Sequence, residues 1–107
     1  MAWRFAGPVD AARLRASLGE LMKRHEILRT ALVYEAGCLR QVLRSPEEVS
    51  LPWRVATCAP DCGLDEIMRE EARRPFDLAC APLWRALWTV EAEGVRALQL
   101  TFHHSIV

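Results

Sequence analysis

The sequence has 107 residues, of which 51% are hydrophobic and 26% are charged, and its formal net charge is zero. This length suits one domain with one hydrophobic core, and the apolar content excludes intrinsic disorder. The lack of a basic excess argues against nucleic-acid binding. No apolar run is long enough to cross a bilayer, and the N-terminus lacks the apolar region of a secretion signal. A cytoplasmic protein without membrane contact is therefore expected.

The first part of the chain predicts a strand followed by a helix. Residues 3–5 alternate in character before a turn at Gly7-Pro8. Asp10 is placed to cap a helix that runs to about His25, and Val9 and Leu14 have the spacing of a hydrophobic staple. The apolar face of this helix follows the helical repeat and contains Leu14, Leu18, Leu21, Met22 and His25.

The middle of the chain predicts a β-hairpin and a second helix. Residues 30–35 and 39–43 read as strands joined by a turn at Ala36-Gly37. A polar connection over residues 46–52, a short extended piece over residues 53–55 and a loop over residues 59–63 follow. The second helix is predicted over residues 64–73, before Pro75. Its expected apolar stripe is Leu64, Ile67, Met68 and Ala72, and its expected ion pairs are Asp65 with Arg69 and Glu70 with Arg74.

The last part of the chain predicts two long strands, over residues 84–91 and 95–103, joined by a turn at residues 92–94. The complete element order is then β-α-β-β-α-β-β. This order indicates an α+β fold, a two-layer sandwich in which a mixed, mainly antiparallel sheet carries two helices on one side.

Two adjacent histidines, His103 and His104, follow this final strand pattern. On an extended backbone neighbouring side chains point to opposite faces of the sheet, so His104 is expected to share a face with Phe102, and His103 with Thr101. One imidazole can then be held by packing while the other faces a cleft. Because an imidazole titrates near neutral pH, the ring that faces the cleft is a candidate for proton transfer.

The four cysteines, Cys38, Cys58, Cys62 and Cys80, are expected to be reduced thiols rather than disulfides. Cys58 and Cys62 have a C-x3-C spacing that, with the two histidines, offers four zinc ligands. Tetrahedral zinc needs converging ligands, however, and neighbouring histidines on a strand diverge. No metal site is therefore expected.

Three motifs in order resemble the condensation domains of nonribosomal peptide synthetases. Residues 24–30, R-H-E-I-L-R-T, resemble that family's R-H-E-x-L-R-T motif. Residues 75–78, P-F-D-L, followed by residues 82–85, P-L-W-R, resemble its P-F-D-L…P-L-x-R segment. Residues 103–107, H-H-S-I-V, match the first five positions of its active-site motif HHxxxDG.

The resemblance implies half of a chloramphenicol-acetyltransferase-like fold, in which two similar halves meet in a V around a tunnel. It also implies amide formation between an acyl or peptidyl thioester and an amine. Both substrates are carried on phosphopantetheine arms, so no cofactor is bound directly. The implied partners are peptidyl or acyl carrier proteins, the second half of the condensation domain and an adjacent adenylation domain.

By the same resemblance, His104 is the catalytic residue, which orients or deprotonates the amine and stabilises the tetrahedral intermediate. His103 and Arg29 support the active site structurally, Arg29 by pairing with the aspartate of the motif. Arg29 stands among apolar residues with no carboxylate near it in the sequence, as expected if its partner is that aspartate.

Residues 1–107 are thus expected to be the N-terminal part of a condensation domain, truncated inside HHxxxDG and inactive alone. Related acyltransferases that form esters, and epimerization domains, share the histidine motif and remain alternatives. A non-catalytic module that binds carrier proteins is a third. A degenerate fragment with an exposed, poorly soluble terminal hairpin is a fourth.

For several residues in these motifs a structural role is sufficient. His25 and Glu26 are expected to close the first helix. Phe76, Trp84 and Trp88 are expected to pack in the core, and Asp77 to brace a turn.

Overall fold

The structure, a computed structural model, describes residues 1–5, 7, 9–58, 63–91 and 96–106. In this part of the chain six strands and two α-helices follow one another: β1 (Ala2–Phe5), α1 (Ala11–Arg24), β2 (Thr30–Glu35), β3 (Cys38–Leu43), β4 (Trp53–Cys58), α2 (Leu64–Arg73), β5 (Trp84–Glu91) and β6 (Arg96–Phe102). Short 3-10 segments cover Glu26–Arg29, Pro46–Glu48 and His104–Ile106. Residues 59–62 of the predicted loop, the predicted turn at residues 92–94 and Pro8 of the first turn lie outside the described residues.

Four strands form one sheet in the order β1-β6-β5-β4, and β2 pairs with β3 in a separate hairpin. All pairs are antiparallel except β4 with β5, which are parallel. The predicted α+β class with a mixed, mainly antiparallel sheet is therefore confirmed. The short extended piece over residues 53–55 is instead a full strand, β4. The strand that pairs with β4 is β5, which follows α2 in the chain. A parallel pair of this kind has no tight turn between its strands that the sequence could indicate.

Helix α1 begins and ends where the sequence predicts. The Asp10 carboxylate accepts a hydrogen bond from the backbone N–H of Arg13 at 3.2 Å, and the His25 N–H donates to the Leu21 carbonyl at 3.0 Å. The buried face is narrower than predicted, because Leu21 is 44% exposed and His25 is also exposed. Leu18 and Met22 are buried in the core, and the predicted Leu14 is partly buried against it.

The two helices lie against opposite faces of the sheet, and the prediction that both lie on one side is wrong. Trp84, Ala86 and Trp88 of β5 pack in one core cluster with Leu18 and Met22 of α1. The opposite face of β5 contacts α2, since Arg85 contacts Glu71. Leu87 and Thr89 lie on the same face as Arg85 and are buried. This second face carries polar residues, so its burial could not be predicted from the sequence. With β1 and β4 at the edges, the hairpin strands β5 and β6 are central and covered, contrary to the exposed hairpin considered above.

Polar contacts attach α2 to the sheet. The Glu71 side chain is 2% exposed, and its carboxylate contacts the guanidinium groups of Arg54, Arg74 and Arg85. Arg85 also donates to the Arg74 carbonyl at 2.7 Å. Burial lowers the pKa of the Arg85 guanidinium below its usual range, and Glu71 opposes this shift.

These contacts correct the ion pairs predicted for α2. Arg74 pairs with Glu71 at 3.2 Å between Nη1 and Oε2, rather than with Glu70, which is exposed. The predicted apolar stripe is also incomplete, because the fully buried residues of α2 are Leu64 and Glu71. A second polar contact runs from Gln99 Nε2 to the Met68 carbonyl at 2.9 Å.

Replacing Glu71 by glutamine is expected to lower the free energy of unfolding by about 2–3 kcal/mol. The substitution removes the counter-charge of the Arg85 guanidinium, whose side chain is 11% exposed, while Arg54 and Arg74 are half-exposed and lose less. Chemical denaturation monitored by tryptophan fluorescence measures the change. Glu70→Gln, the same substitution at the exposed neighbour, is the control and should cost less than about 0.5 kcal/mol. Equal losses in the two variants would contradict the role given to Glu71.

Candidate active site at the end of β6

The histidine pair lies where β6 leaves the sheet. The His103 N–H donates to the Leu83 carbonyl at 2.9 Å, just beyond the pairing of Phe102 with Trp84. The chain then turns into the 3-10 segment His104–Ile106. The two imidazole rings stack, with centroids 4.5 Å apart and planes 24° apart. The prediction that they point to opposite faces is wrong, because alternation holds only while the backbone remains extended.

His103 is half-buried, and Ser105 holds its ring. The backbone N–H of Ser105 donates to Nδ1 of His103 at 3.2 Å, and the Ser105 hydroxyl oxygen lies 2.7 Å from the same nitrogen. A ring nitrogen that accepts an N–H bond carries no proton, so the neutral His103 ring carries its proton on Nε2. Ser105 was not singled out in the sequence, although polar side chains commonly bond to backbone groups two residues away.

The His104 side chain is exposed, with its ring stacked on that of His103. The ring is not sealed inside the core. An accessible imidazole can accept or donate a proton near neutral pH, and the stacked neighbour restricts its orientation. The expected division between one held ring and one accessible ring is thus present, although it arises from a turn and not from strand alternation.

Phe76 contacts this pair from the P-F-D-L segment. Its ring lies edge-to-face with the His103 ring, with centroids 5.9 Å apart and planes 87° apart. The Arg85 guanidinium carbon lies 4.2 Å from the Phe76 ring centroid. Sequence reasoning assigned Phe76 to the core together with Trp84 and Trp88. The two tryptophans are indeed buried, but Phe76 is only half-buried.

Asp77 braces a turn, as predicted. Its carboxylate accepts a hydrogen bond from the Ala79 N–H at 3.2 Å and lies 3.3 Å from the Cys80 sulfur. The hydrogen bond to the carboxylate raises the pKa of the Cys80 thiol. This turn carries the chain from Phe76 back toward β5.

Arg29 is buried and donates to main-chain carbonyls. Its Nε donates to Met22 at 3.0 Å, its Nη2 to Lys23 at 3.4 Å and its Nη1 to Arg44 at 2.5 Å. The first two carbonyls lie at the C-terminal end of α1, where the helix dipole favours a cation. The sequence had suggested that a buried Arg29 needs a carboxylate partner. The carbonyl contacts show that its burial does not require one. Its pairing with an aspartate stays a prediction.

The structure connects the three motifs through β5. The Leu28 carbonyl, next to Arg29, accepts a hydrogen bond from the Trp84 indole at 3.0 Å. Arg85 follows Trp84 and contacts Phe76, which contacts His103. In the described part of the chain Arg29 makes no ring or hydrogen-bond contact with either histidine of the pair.

Metal-binding groups are not evident in the residues that the structure covers. There no cluster of three or more histidine, cysteine or acidic side chains is placed to hold an ion. Cys38 and Cys80 are exposed free thiols. Cys62 and the Cys58 side chain lie outside the described residues, so the C-x3-C spacing stays untested.

Solved structures share this fold. The structure of holo T3CT matches 97% of the chain with a TM-score of 0.80 at 22% identity, over 25% of its own length. That of SgcC5 from Streptomyces globisporus matches 96% with a TM-score of 0.70 at 30% identity, over 24% of its length. The class is that of the chloramphenicol-acetyltransferase-like fold. The Condensation domain family model matches residues 1–107, and the chain belongs to that family.

Curated relatives are large synthetases. The chain is 35% identical over 106 residues to a probable non-canonical nonribosomal peptide synthetase, CymA, of Salinispora arenicola. The match includes 99% of this chain and 1% of that protein. It is 40% identical over 101 residues to surfactin synthase subunit 2 of Bacillus subtilis, a match that includes 94% of this chain and 3% of that protein. The chain thus spans a small part of these relatives. No helix in the described residues is long and apolar enough to cross a membrane.

Replacing Arg29 by lysine is expected to lower the free energy of unfolding by about 2 kcal/mol. A lysine cannot reproduce the planar fork that reaches carbonyls at the end of α1 and at Arg44, and those buried acceptors lose their donors. Chemical denaturation measures the change. Arg24→Lys, at the exposed arginine of the same motif, should stay within about 0.5 kcal/mol of the parent. If Arg29→Lys is equally silent, the carbonyl contacts contribute little.

Removing the Ser105 hydroxyl is expected to shift the ratio of the two neutral tautomers of His103. A hydrogen bond contributes about 1 kcal/mol, so Ser105→Ala should move the ratio about fivefold away from the Nε2–H form. Nitrogen chemical shifts of the imidazole report the tautomer directly. Ser105→Thr should preserve the parent ratio, and Ser17→Ala, whose hydroxyl bonds to the Arg13 carbonyl on α1, is the control. An unchanged ratio in Ser105→Ala would contradict a role of the hydroxyl in selecting the tautomer, since the backbone N–H of residue 105 still donates to Nδ1 in this variant.

Proposed function

We propose that this chain supplies the N-terminal part of a condensation domain that forms amide bonds in nonribosomal peptide biosynthesis. The observation that carries the proposal is the histidine pair at the end of β6, in a chain of the condensation family. One ring is held by Ser105 and Phe76, and the other is accessible. An acid–base group needs this combination of fixed position and access to substrate.

In the proposed reaction an amine attacks the carbonyl carbon of a thioester. The nitrogen–carbon bond forms, the carbon–sulfur bond breaks, and the phosphopantetheine thiol leaves. His104 orients the amine, takes the proton that the nitrogen loses, and passes it to the departing sulfur. His103 holds the His104 ring. Arg29 supports the end of α1 and, when the aspartate of the motif is present, the active-site loop.

Positioning of the substrates supplies much of the proposed acceleration. The thioester is already activated, and two tethered substrates held in contact react as an intramolecular pair. Proton transfer by a positioned imidazole adds about 10²–10⁴-fold. Because the His104 ring is open to water in this chain, we propose that residues 1–107 alone do not catalyse condensation. Water competes with the amine and weakens electrostatic stabilisation at an open site.

The proposed partners are donor and acceptor carrier proteins, the rest of the condensation domain and an adenylation domain. They follow from the synthetases that the chain resembles over one of their segments. The proposed location is the cytoplasm, and the substrates arrive on phosphopantetheine arms without a bound cofactor. A hydroxyl acceptor, which would give an ester, uses the same proton transfer. The epimerization domain of tyrocidine synthetase B shares the fold alone, at 17% identity.

A second candidate function is a binding module without catalysis. The solved X-domain from teicoplanin biosynthesis is 30% identical to this chain with a TM-score of 0.71. A solved complex of the X-domain and OxyB is 31% identical, with a TM-score of 0.76. A relative at this level of identity thus binds another protein. For this chain, binding of a carrier protein that survives His104→Ala without any condensation activity would favour the second candidate.

Replacing His104 by alanine is expected to abolish most amide formation. The assay uses a polypeptide in which this chain is followed by the rest of a condensation domain, with loaded donor and acceptor carrier proteins and mass spectrometry of the product. The rate should fall about 10²–10⁴-fold, because the proton acceptor is removed. His25→Ala, at the exposed histidine that ends α1, is the control and should keep the parent rate.

Three results in this assay would contradict the proposal. Amide formation by His104→Ala at the parent rate would remove the role of the ring. Product formation by the 107-residue chain alone would contradict its proposed inactivity. Turnover with a hydroxyl acceptor and none with an amine would replace amide formation by ester formation.

A further inference from the structure

A line of contacting groups connects α2 to the histidine pair. It begins at the buried Glu71 carboxylate, which contacts the Arg85 guanidinium. That guanidinium lies over the Phe76 ring at 4.2 Å, and the Phe76 ring meets the His103 ring edge-to-face at 5.9 Å. His103 in turn stacks on His104 at 4.5 Å.

Each contact in this line restricts the next group. Arg85 is fixed because it contacts the Glu71 side chain and donates to the carbonyls of Glu71 and Arg74. A guanidinium over an aromatic face is attracted by the negative charge of that face, which limits tilting of the Phe76 ring. An edge-to-face aromatic pair favours one relative orientation. The Phe76 ring therefore restricts rotation of His103, in addition to the contacts that Ser105 makes with Nδ1.

We propose that Phe76, held by Arg85, is a positioning residue for the histidine pair. Ser105 fixes the plane of His103 through Nδ1, and Phe76 supports its ring. The stacked His104 ring then has a fixed surface against which to lie. The inference rests on the proposed function for its catalytic consequence, but not for its structural content. It gives the P-F-D-L segment a role that core packing alone does not.

Imidazole NMR of the 107-residue chain tests the structural content. Phe76→Leu keeps apolar bulk and removes the aromatic ring, so the ring C–H resonances of His103 and His104 are expected to move, while those of His25 stay in place. Phe76→Tyr should restore the parent positions. Phe5→Leu is the matched control, because Phe5 lies 5.9 Å from the Trp88 ring and contacts the core instead of a histidine. The Trp84 indole N–H resonance reports that the fold is intact.

Unchanged His103 and His104 resonances in a folded Phe76→Leu variant would overturn the proposal. If that variant fails to fold, Arg85→Lys decides, since it keeps the Phe76 ring and removes the planar group above it. Its His103 resonances should move too, and the absence of movement would overturn the proposal.

Activity separates this inference from the proposed function. In the extended polypeptide, Phe76→Leu is expected to lower kcat about ten- to a hundredfold with KM nearly unchanged, because misplacing a reacting group by a fraction of an ångström slows chemistry more than binding. If the NMR shifts appear and His104→Ala remains fully active, positioning by Phe76 stands and the proposed function falls. If His104→Ala is inactive and the NMR shifts are absent, the proposed function stands and this inference falls.

Discussion

The antiparallel pairing of β5 with β6 is the constraint on which the rest of the structure depends. Trp84 faces Phe102 at the end of this ladder, and the His103 N–H extends it by one bond to Leu83. That bond determines where the histidines leave the sheet. Both edges of β5 are paired and both of its faces are covered, and each face contacts a different helix and a different motif.

Local patterns in the sequence were sufficient for most elements. The Asp10 cap, the 3–4 spacing of Leu18 and Met22 and the Gly37 turn each depend on neighbours in sequence, and the structure has these elements at the predicted places. The α+β class followed from their order. Strand β4 could not be predicted in full, because the residues that stabilise it lie on β5 and α2, far along the chain.

The candidate site was located by the sequence, but its geometry was not. The motifs named His103, His104 and Arg29, yet strand alternation gave the wrong relation between the two rings, since the backbone turns after Phe102. Ser105 and Phe76 contact His103 across a turn and a loop, and neither contact follows from periodicity. The partners of Arg29 could not be predicted either. A sequence shows which residues carry carboxylates, but not which main-chain carbonyls at a helix end are free to accept hydrogen bonds.

One turn after β6 stacks the two imidazoles, with His103 held and His104 accessible. The most direct measurement is the nuclear Overhauser effect between the ring protons of His103 and His104 in the 107-residue chain. Because the ring centroids lie 4.5 Å apart, we expect strong effects between the two rings, and also between His103 and Phe76. Ring protons of His103 and His104 that show effects only to residues on opposite faces of the sheet would contradict it.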